Sequence, residues 1–443
     1  MPSIELSMIV KNGASTLARC LESAHSAVDE IVIADTGSTD ASAQIARSYG
    51  ARVIEVPWED DFSKARNAVL RHGRCDWVLF LDADELLDTE EAEGIASLLT
   101  DSAVFGYDVR IWNYVSTLST RMLNRPSHRN PHRIEAARAF PAYVEHVNVR
   151  LFHRDPEILF EGRVHEGVAD CMKRKGLQVA PANFVIHHLG IAEDGPVERN
   201  RKLEFYQQLG RKKLIESPND ALAHYELGLG ELEHFHNPRA ALQYFTRAIE
   251  LKPDSNLLLT YAGICLVRLG QLQEGLELLK KAEQLGARDA VHLEAMGDAQ
   301  YHLERFVEAR RSYEAAMAAG SESSVLEGKL GVCDVRLGAA ASGLRRIQNA
   351  IKREPELGEL YDILMAAALF AGNRPLAAET AERRLSVGTP SASSFLLTAG
   401  IWAQLGEWQR AARIVQSGCQ RFPEDVKLRS AQAEVNQKLG TLR

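Results

Sequence analysis

The sequence predicts a doubly wound α/β sheet followed by an all-α solenoid. Strand and helix signals alternate one for one over residues 4–87, and a glycine recurs about every 34 residues across much of the second half. A third observation points to where ligands would bind. The apolar run Trp77-Val78-Leu79-Phe80-Leu81 reads as a buried central strand, and it ends in Asp82-Ala83-Asp84-Glu85. Ligands of open α/β sheets collect at the carboxyl ends of their strands. Three carboxylates within four residues are costly to hold together unless water, cationic side chains or a divalent metal offsets their repulsion.

Taken in order, residues 4–10 read as a strand and 14–26 as a helix. Residues 30–34 and 52–56 read as strands flanking a helix over about 40–49, and residues 62–72 as the helix that feeds the strand ending at Asp82. The pattern then loosens, with strand-like pieces at 104–112, 147–152 and 183–187. Between them, residues 121–154 hold seven arginines (Arg121, Arg125, Arg129, Arg133, Arg138, Arg150, Arg154) against Glu135 and Glu145. Pro126 and Pro131 forbid one continuous helix there. This stretch reads as a mobile basic loop, either solvated or closing over an anionic ligand.

Length and composition bound the rest. A chain of 443 residues predicts two to three domains, and 45% hydrophobic with 25% charged residues fits a soluble globular protein. The formal charge of −8 disfavours a general nucleic-acid binder. Six cysteines without CxxC spacing argue against a zinc module or a disulfide framework, so a reducing, cytoplasmic setting is expected. The apolar run Leu6–Val10 lacks the layout of a signal peptide, and no stretch reaches the length of a membrane span.

The second half is periodic. Gly228, Gly263, Gly297 and Gly331 are followed twelve or thirteen positions later by Ala241, Gly275, Ala309 and Gly343, and then by Ala248, Ala282, Ala316 and Ala350. Small residues at these positions let paired antiparallel helices approach closely, while Leu227, Phe245, Leu279, Tyr313 and Ile347 fill the space between neighbours. The pattern resembles tetratricopeptide repeats, with six units over about 219–424 and a capping helix over about 425–439. The expected organisation is a catalytic domain over 1–192, a helical linker over 193–218 and a repeat domain over 219–443. Arg199, Asn200, Arg201 and Lys202 open that linker and read as a solvated face with a possible phosphate contact.

Four motifs occur in order in the first half: Ser7-Met8-Ile9-Val10-Lys11-Asn12, Asp35-Thr36-Gly37-Ser38-Thr39-Asp40, Asp61-Phe62-Ser63-Lys64-Ala65-Arg66-Asn67, and Leu81-Asp82-Ala83-Asp84-Glu85. Together they resemble family-2 glycosyltransferases of the GT-A fold. The likeness is strongest to the bacterial branch that joins this domain to tetratricopeptide repeats, which includes the sublancin-type peptide S-glycosyltransferase. The resemblance implies a GT-A-type mixed sheet, a UDP-sugar donor and Mn²⁺ or Mg²⁺ as cofactor. It also assigns roles. Lys11, Asn12 and Asp35 would serve the nucleotide, with Asp35 accepting the uracil imide hydrogen; an Asp that only forms the turn at Gly37 is the alternative. Arg66 would stack on or bond to the base and Asn67 would bond to ribose or base, against a reading of both as helix packing. Asp82 would contact the ribose or a metal-bound water, and Asp84 would ligate the metal.

The base that takes the acceptor's proton is less clear in the sequence, because the Glu-Asp pair of many relatives is missing at the expected place. Phe160-Glu161-Gly162-Arg163-Val164-His165-Glu166 stands there instead. Glu166 is the candidate base with Glu161 as fallback, and His165 a substrate contact or metal ligand. His188, in His187-His188-Leu189-Gly190, is a candidate third ligand, or one of a structural pair. Gly13 replaces the acid that many relatives carry. The expected activity is a metal-dependent, inverting transfer of a hexose or N-acetylhexosamine to a protein, peptide or glycan acceptor docked with help from the repeats. The alternatives are a non-catalytic nucleotide-sugar scaffold and a nucleotidyltransferase; the latter would show a basic Gly-rich loop after its first strand, which is absent.

Overall fold

The computed structural model describes residues 2–101, 103–116, 121–122 and 125–441. The chain divides into two compact units, residues 1–269 and 270–443.

The first unit is built on a mixed sheet. Strands β1 (Ile4–Val10), β2 (Glu30–Asp35), β3 (Arg52–Glu55) and β4 (Trp77–Phe80) are parallel in the order β3-β2-β1-β4. The chain runs outward from β1 through β2 to β3 and then returns to the other side of β1. The strand order therefore reverses at β1, and a crevice opens at the carboxyl ends of β1 and β4. Strand alternation distributes the core. Ile31, Ile33 and Leu79 pack on one face with α1 (Leu17–Ala24), α2 (Ser42–Ser48) and, farther along the sheet, α4 (Thr89–Leu98). Val32 and Ala34 meet Val69 of α3 (Phe62–His72) on the other face, where Phe80 packs with Phe160 and with Met172 of α5 (Ala169–Arg174). The α3 helix starts where Asp61 accepts a hydrogen bond from the Lys64 amide at 3.2 Å, as an N-cap.

The second half of the sheet is antiparallel where it joins the first. Strand β9 (Ala142–His153) runs against β4 and against β6 (Gly106–Val115), and β10 (Val179–His188) is parallel to β6. The short strand β5 (Glu85–Leu87) pairs with the end of β10, placing His188 opposite Glu85. The basic stretch 121–154 is accordingly no open loop. β7 (Arg121–Met122) and β8 (Arg125–Arg129) form a ladder that continues into β9, and Arg150 and Arg154 are tied into the domain. Ala142 and Val144 are buried early in β9 and residues 149–152 are buried consecutively at its end, so the strand is covered without one period-2 stripe. The side chains of Arg121 and Arg125, and residues 117–120 and 123–124, lie outside the described residues.

After α6 (Gly190–Glu193) and the 21-residue α7 (Pro196–Glu216), the described residues of the first unit close with a helix pair and the helix 256–268, and those of the second unit hold the helix 272–284, four helix pairs and a last helix, Val426–Thr441. The first pair is 221–229, continued by a π-helical turn to His234, and 238–251. In it Gly228 faces Phe245, where an added Cβ would lie 2.7 Å from the ring. Within residues 270–443, Gly297 faces Tyr313 in the same way at 2.4 Å, and Gly331 faces Ile347 and the Gly343 carbonyl. The glycine period thus records helix contact distance, as the repeat reading expects. No described helix is long and apolar enough to cross a membrane.

Candidate active site

The crevice is lined from three strand ends. At β1, Asn12 takes φ 53°, and its Oδ1 accepts from the Thr39 amide at 2.7 Å while its own amide donates to Ser38 Oγ at 3.0 Å. At β2, the buried Asp35 accepts from the amides of Gly37 and Ser38 at 3.0 and 2.7 Å through one oxygen. The two turns therefore brace each other, and the second carboxylate oxygen of Asp35 has no hydrogen bond among the described residues. Lys11 is exposed beside them.

At β4 the acids are compensated mainly by cations. Arg66, 5% exposed, donates from Nη2 to Asp82 Oδ1 at 2.6 Å and from Nε to Glu166 Oε1 at 2.5 Å. Its guanidinium lies 4.8 Å from the centre of the Phe80 ring. Arg150 forks onto both oxygens of the buried Glu85 at 2.8 and 3.0 Å and stands 3.9 Å from Asp82. Glu85 in turn accepts from the Asp82 amide at 2.8 Å, which fixes the turn that presents Asp82 and Asp84. Burial pushes the Asp82 carboxyl up, but Arg66 and Arg150 overcome it and hold the group well below the usual carboxylate range. Burial dominates for Glu85, whose pKa is raised despite Arg150.

Asp84 and His188 form the pair that suits a cation. Their Oδ2 and Nε2 atoms lie 3.4 Å apart. His188 Nδ1 is held by Asn113 Oδ1 at 2.8 Å, which orients the ring and turns Nε2 to the crevice. Gly190 makes the room: a Cβ there would fall 1.9 Å from Asp84 Oδ2 and 3.2 Å from His188 Nε2. Burial lowers the His188 pKa, but Asp84 and its neighbours outweigh that and push it up to about 9, while the imidazolium lowers the Asp84 pKa against its own burial. One carboxylate oxygen and one imidazole nitrogen converging on a point fit a divalent ion whose remaining positions go to phosphate and water. Among the described residues, the three donors standing close together are Glu5, Glu30 and Cys75, at the amino ends of the strands. There Arg154 and Arg52 already pair the two glutamates at 2.7 and 2.9 Å.

The remaining expected residues are spread. Asn67 spends both halves of its amide on the Phe160 backbone, at 2.9 and 2.8 Å, and so ties α3 to the segment that carries Glu166. Glu161 is exposed and paired with Arg174, and His165 is exposed at φ 55°. Glu166, by contrast, has a mostly covered side chain that turns to Arg66 and shares that cation with Asp82. His187 points to the opposite face and bonds the Tyr114 hydroxyl at 2.9 Å. Arg150, Asn113 and Gly190 were not singled out from the sequence. Their only signals were membership of the arginine run, of a strand and of the His-His-Leu-Gly motif.

Residues 6–157 match glycosyl transferase family 2, and residues 231–290 match a tetratricopeptide repeat family. The N-terminal domain is a family-2 glycosyltransferase domain. The chain is similar to a TPR repeat-containing protein of Synechococcus elongatus, with 29% identity over 305 residues that cover 66% of this chain and 68% of that protein. The SPbeta prophage-derived glycosyltransferase SunS of Bacillus subtilis is 25% identical over 205 residues, 45% of this chain and 42% of SunS. An uncharacterized glycosyltransferase of Rickettsia felis is 34% identical over 116 residues, 25% of this chain and 40% of that one. The chain thus spans about two thirds of the first relative and under half of the other two.

Proposed function

We propose that this chain transfers a sugar from a UDP-sugar to a protein, peptide or glycan acceptor, with Mn²⁺ or Mg²⁺ bound at Asp84 and His188. The observation that carries the reading is the convergence of Asp84 Oδ2 and His188 Nε2 at 3.4 Å, beside Asp82 at the carboxyl end of β4. A divalent ion there, when bound, would neutralise charge that grows on the departing diphosphate. The chain's own residues do the rest. Asp35, its second oxygen not taken by the turn, accepts from the base. Arg66 and Arg150 keep Asp82 ionised and fixed, so it meets the ribose or a bound water without reorganising. Glu166 is a better candidate for the acceptor's proton than Glu161 because it faces this same cluster. The repeats would present the acceptor, as helical solenoids offer extended concave surfaces.

The test is release of UDP from a panel of UDP-sugars with Mn²⁺. The intact chain is expected to release UDP, and Asp84→Asn to slow release at least a hundredfold. Equal release by both proteins, or none from any donor and no metal-dependent UDP binding, would reject the reading.

A further inference from the structure

Helix α7 has more contact with the transferase domain than a linker needs. Lys212 pairs with Asp60, and Arg163 pairs with Glu216 and donates to the Asp60 carbonyl at 2.7 Å, while within the linker Lys202 binds Asp194 at 2.8 Å. Between these ties, Phe205 packs 6.0 Å from Trp58, and the Tyr206 ring lies 6.0 Å from Phe62, centre to centre. These contacts fix where α7 lies. Phe62 stands one turn before Arg66 on α3, so both occupy the same helix face, and a ring laid on Phe62 sits next to the Arg66 cluster. Lys202 stands one turn before Tyr206 on α7, and its ammonium acts on Asp84. One face of α7 is therefore laid against the α3 face that carries Arg66, at the edge of the crevice.

Tyr206 is the exception to the packing. It is 41% exposed, and its hydroxyl makes no hydrogen bond among the described residues. Burial of the hydroxyl and then the charges of Asp82, Asp84 and Glu166 raise its pKa, so it stays a neutral O–H donor among anions. A donor left unused beside a cluster of acids suits an anionic ligand that arrives with its own counter-ion.

We propose that the Tyr206 hydroxyl donates a hydrogen bond to the diphosphate of the nucleotide donor, which makes α7 part of the donor site. This rests on the donor-site reading above. The probes are UDP and uridine, titrated with Mn²⁺ into the full chain and into Tyr206→Phe, which keeps the ring on Phe62. The wild-type chain is expected to bind both ligands. Tyr206→Phe is expected to bind UDP about tenfold more weakly, the size of one hydrogen bond to a charged oxygen, and uridine unchanged. Equal UDP affinity in both proteins would overturn the proposal, as would equal losses for UDP and uridine, which mark a packing defect. Failure of the wild-type chain to bind UDP would instead remove the donor-site reading itself.

Discussion

Arg66 has carboxylate partners in the fold that its sequence neighbourhood does not reveal. The sequence puts it in the crevice, near acids, as a partner for the base. In the fold it is a buried cation shared by Asp82 and Glu166, residues 16 and 100 positions away. A buried guanidinium with two carboxylates is held by mutual charge, and removing one partner strands the others. The adjacent histidines make a second lesson, because strand alternation sends them to opposite faces. His188 joins Asp84, whereas His187 is fully buried and its Nε2 has no partner among the described residues. Burial lowers its pKa to about 4, mainly because the interior disfavours the charged ring. Between that value and the ordinary value near 6.5, the unfolded chain binds the proton and the folded chain does not. The contribution of His187 is thus present above about pH 6.5 and lost as pH falls toward 4, up to about 3 kcal/mol. Denaturant unfolding followed by tryptophan fluorescence should show this loss between pH 7 and 5, and His187→Gln should flatten the slope. An unchanged slope in the variant would contradict it.

At the scale of elements, the register of β5 on β10 assembles the candidate metal corner, since it sets His188 opposite Glu85 and next to Asp84. No local signal foretells that pairing, because it joins segments about a hundred residues apart. The repeats are the reverse case, with the first four units legible from their own glycine spacing and the last two degenerate, Met365 and Ala399 standing at the glycine position. Their glycines make a sharp prediction. At Gly297 an added Cβ would meet the Tyr313 ring at 2.4 Å, whereas at Gly400, also in a helix, it would meet nothing within 4 Å. Gly297→Ala is expected to destabilise by about 1–3 kcal/mol through overpacking. Gly400→Ala should be neutral or stabilising by up to about 1 kcal/mol, because alanine loses less entropy in a helix. Urea melts monitored by circular dichroism compare the two, and equal effects would refute the contact argument.

For the whole molecule, the division into units 1–269 and 270–443 carries a thermodynamic consequence. A ligand stabilises only the cooperative unit that binds it, by about 2.7 kcal/mol at a free concentration one hundred times its Kd. All the candidate site residues belong to the first unit. Calorimetry should therefore show two transitions, with UDP and Mn²⁺ raising the one that belongs to residues 1–269 and leaving the other in place. Gly297→Ala should move only the other. A single transition shifted by both perturbations would show that the units unfold together.

Local pattern did not foretell β5 or the strands β7 and β8 of the basic stretch 121–154, but it was enough for the order of strands and helices as far as β4, the acidic end of β4, the turn after β2 and the helical repeats. Each of these depends on residues close in sequence, where periodicity, capping and glycine spacing act. Only the tertiary structure decided which charges meet: Arg66 with Asp82 and Glu166, Arg150 with Glu85, and Asp84 with His188. Those pairings join distant segments, and a charge in a sequence carries no record of which distant partner will pay its cost of burial.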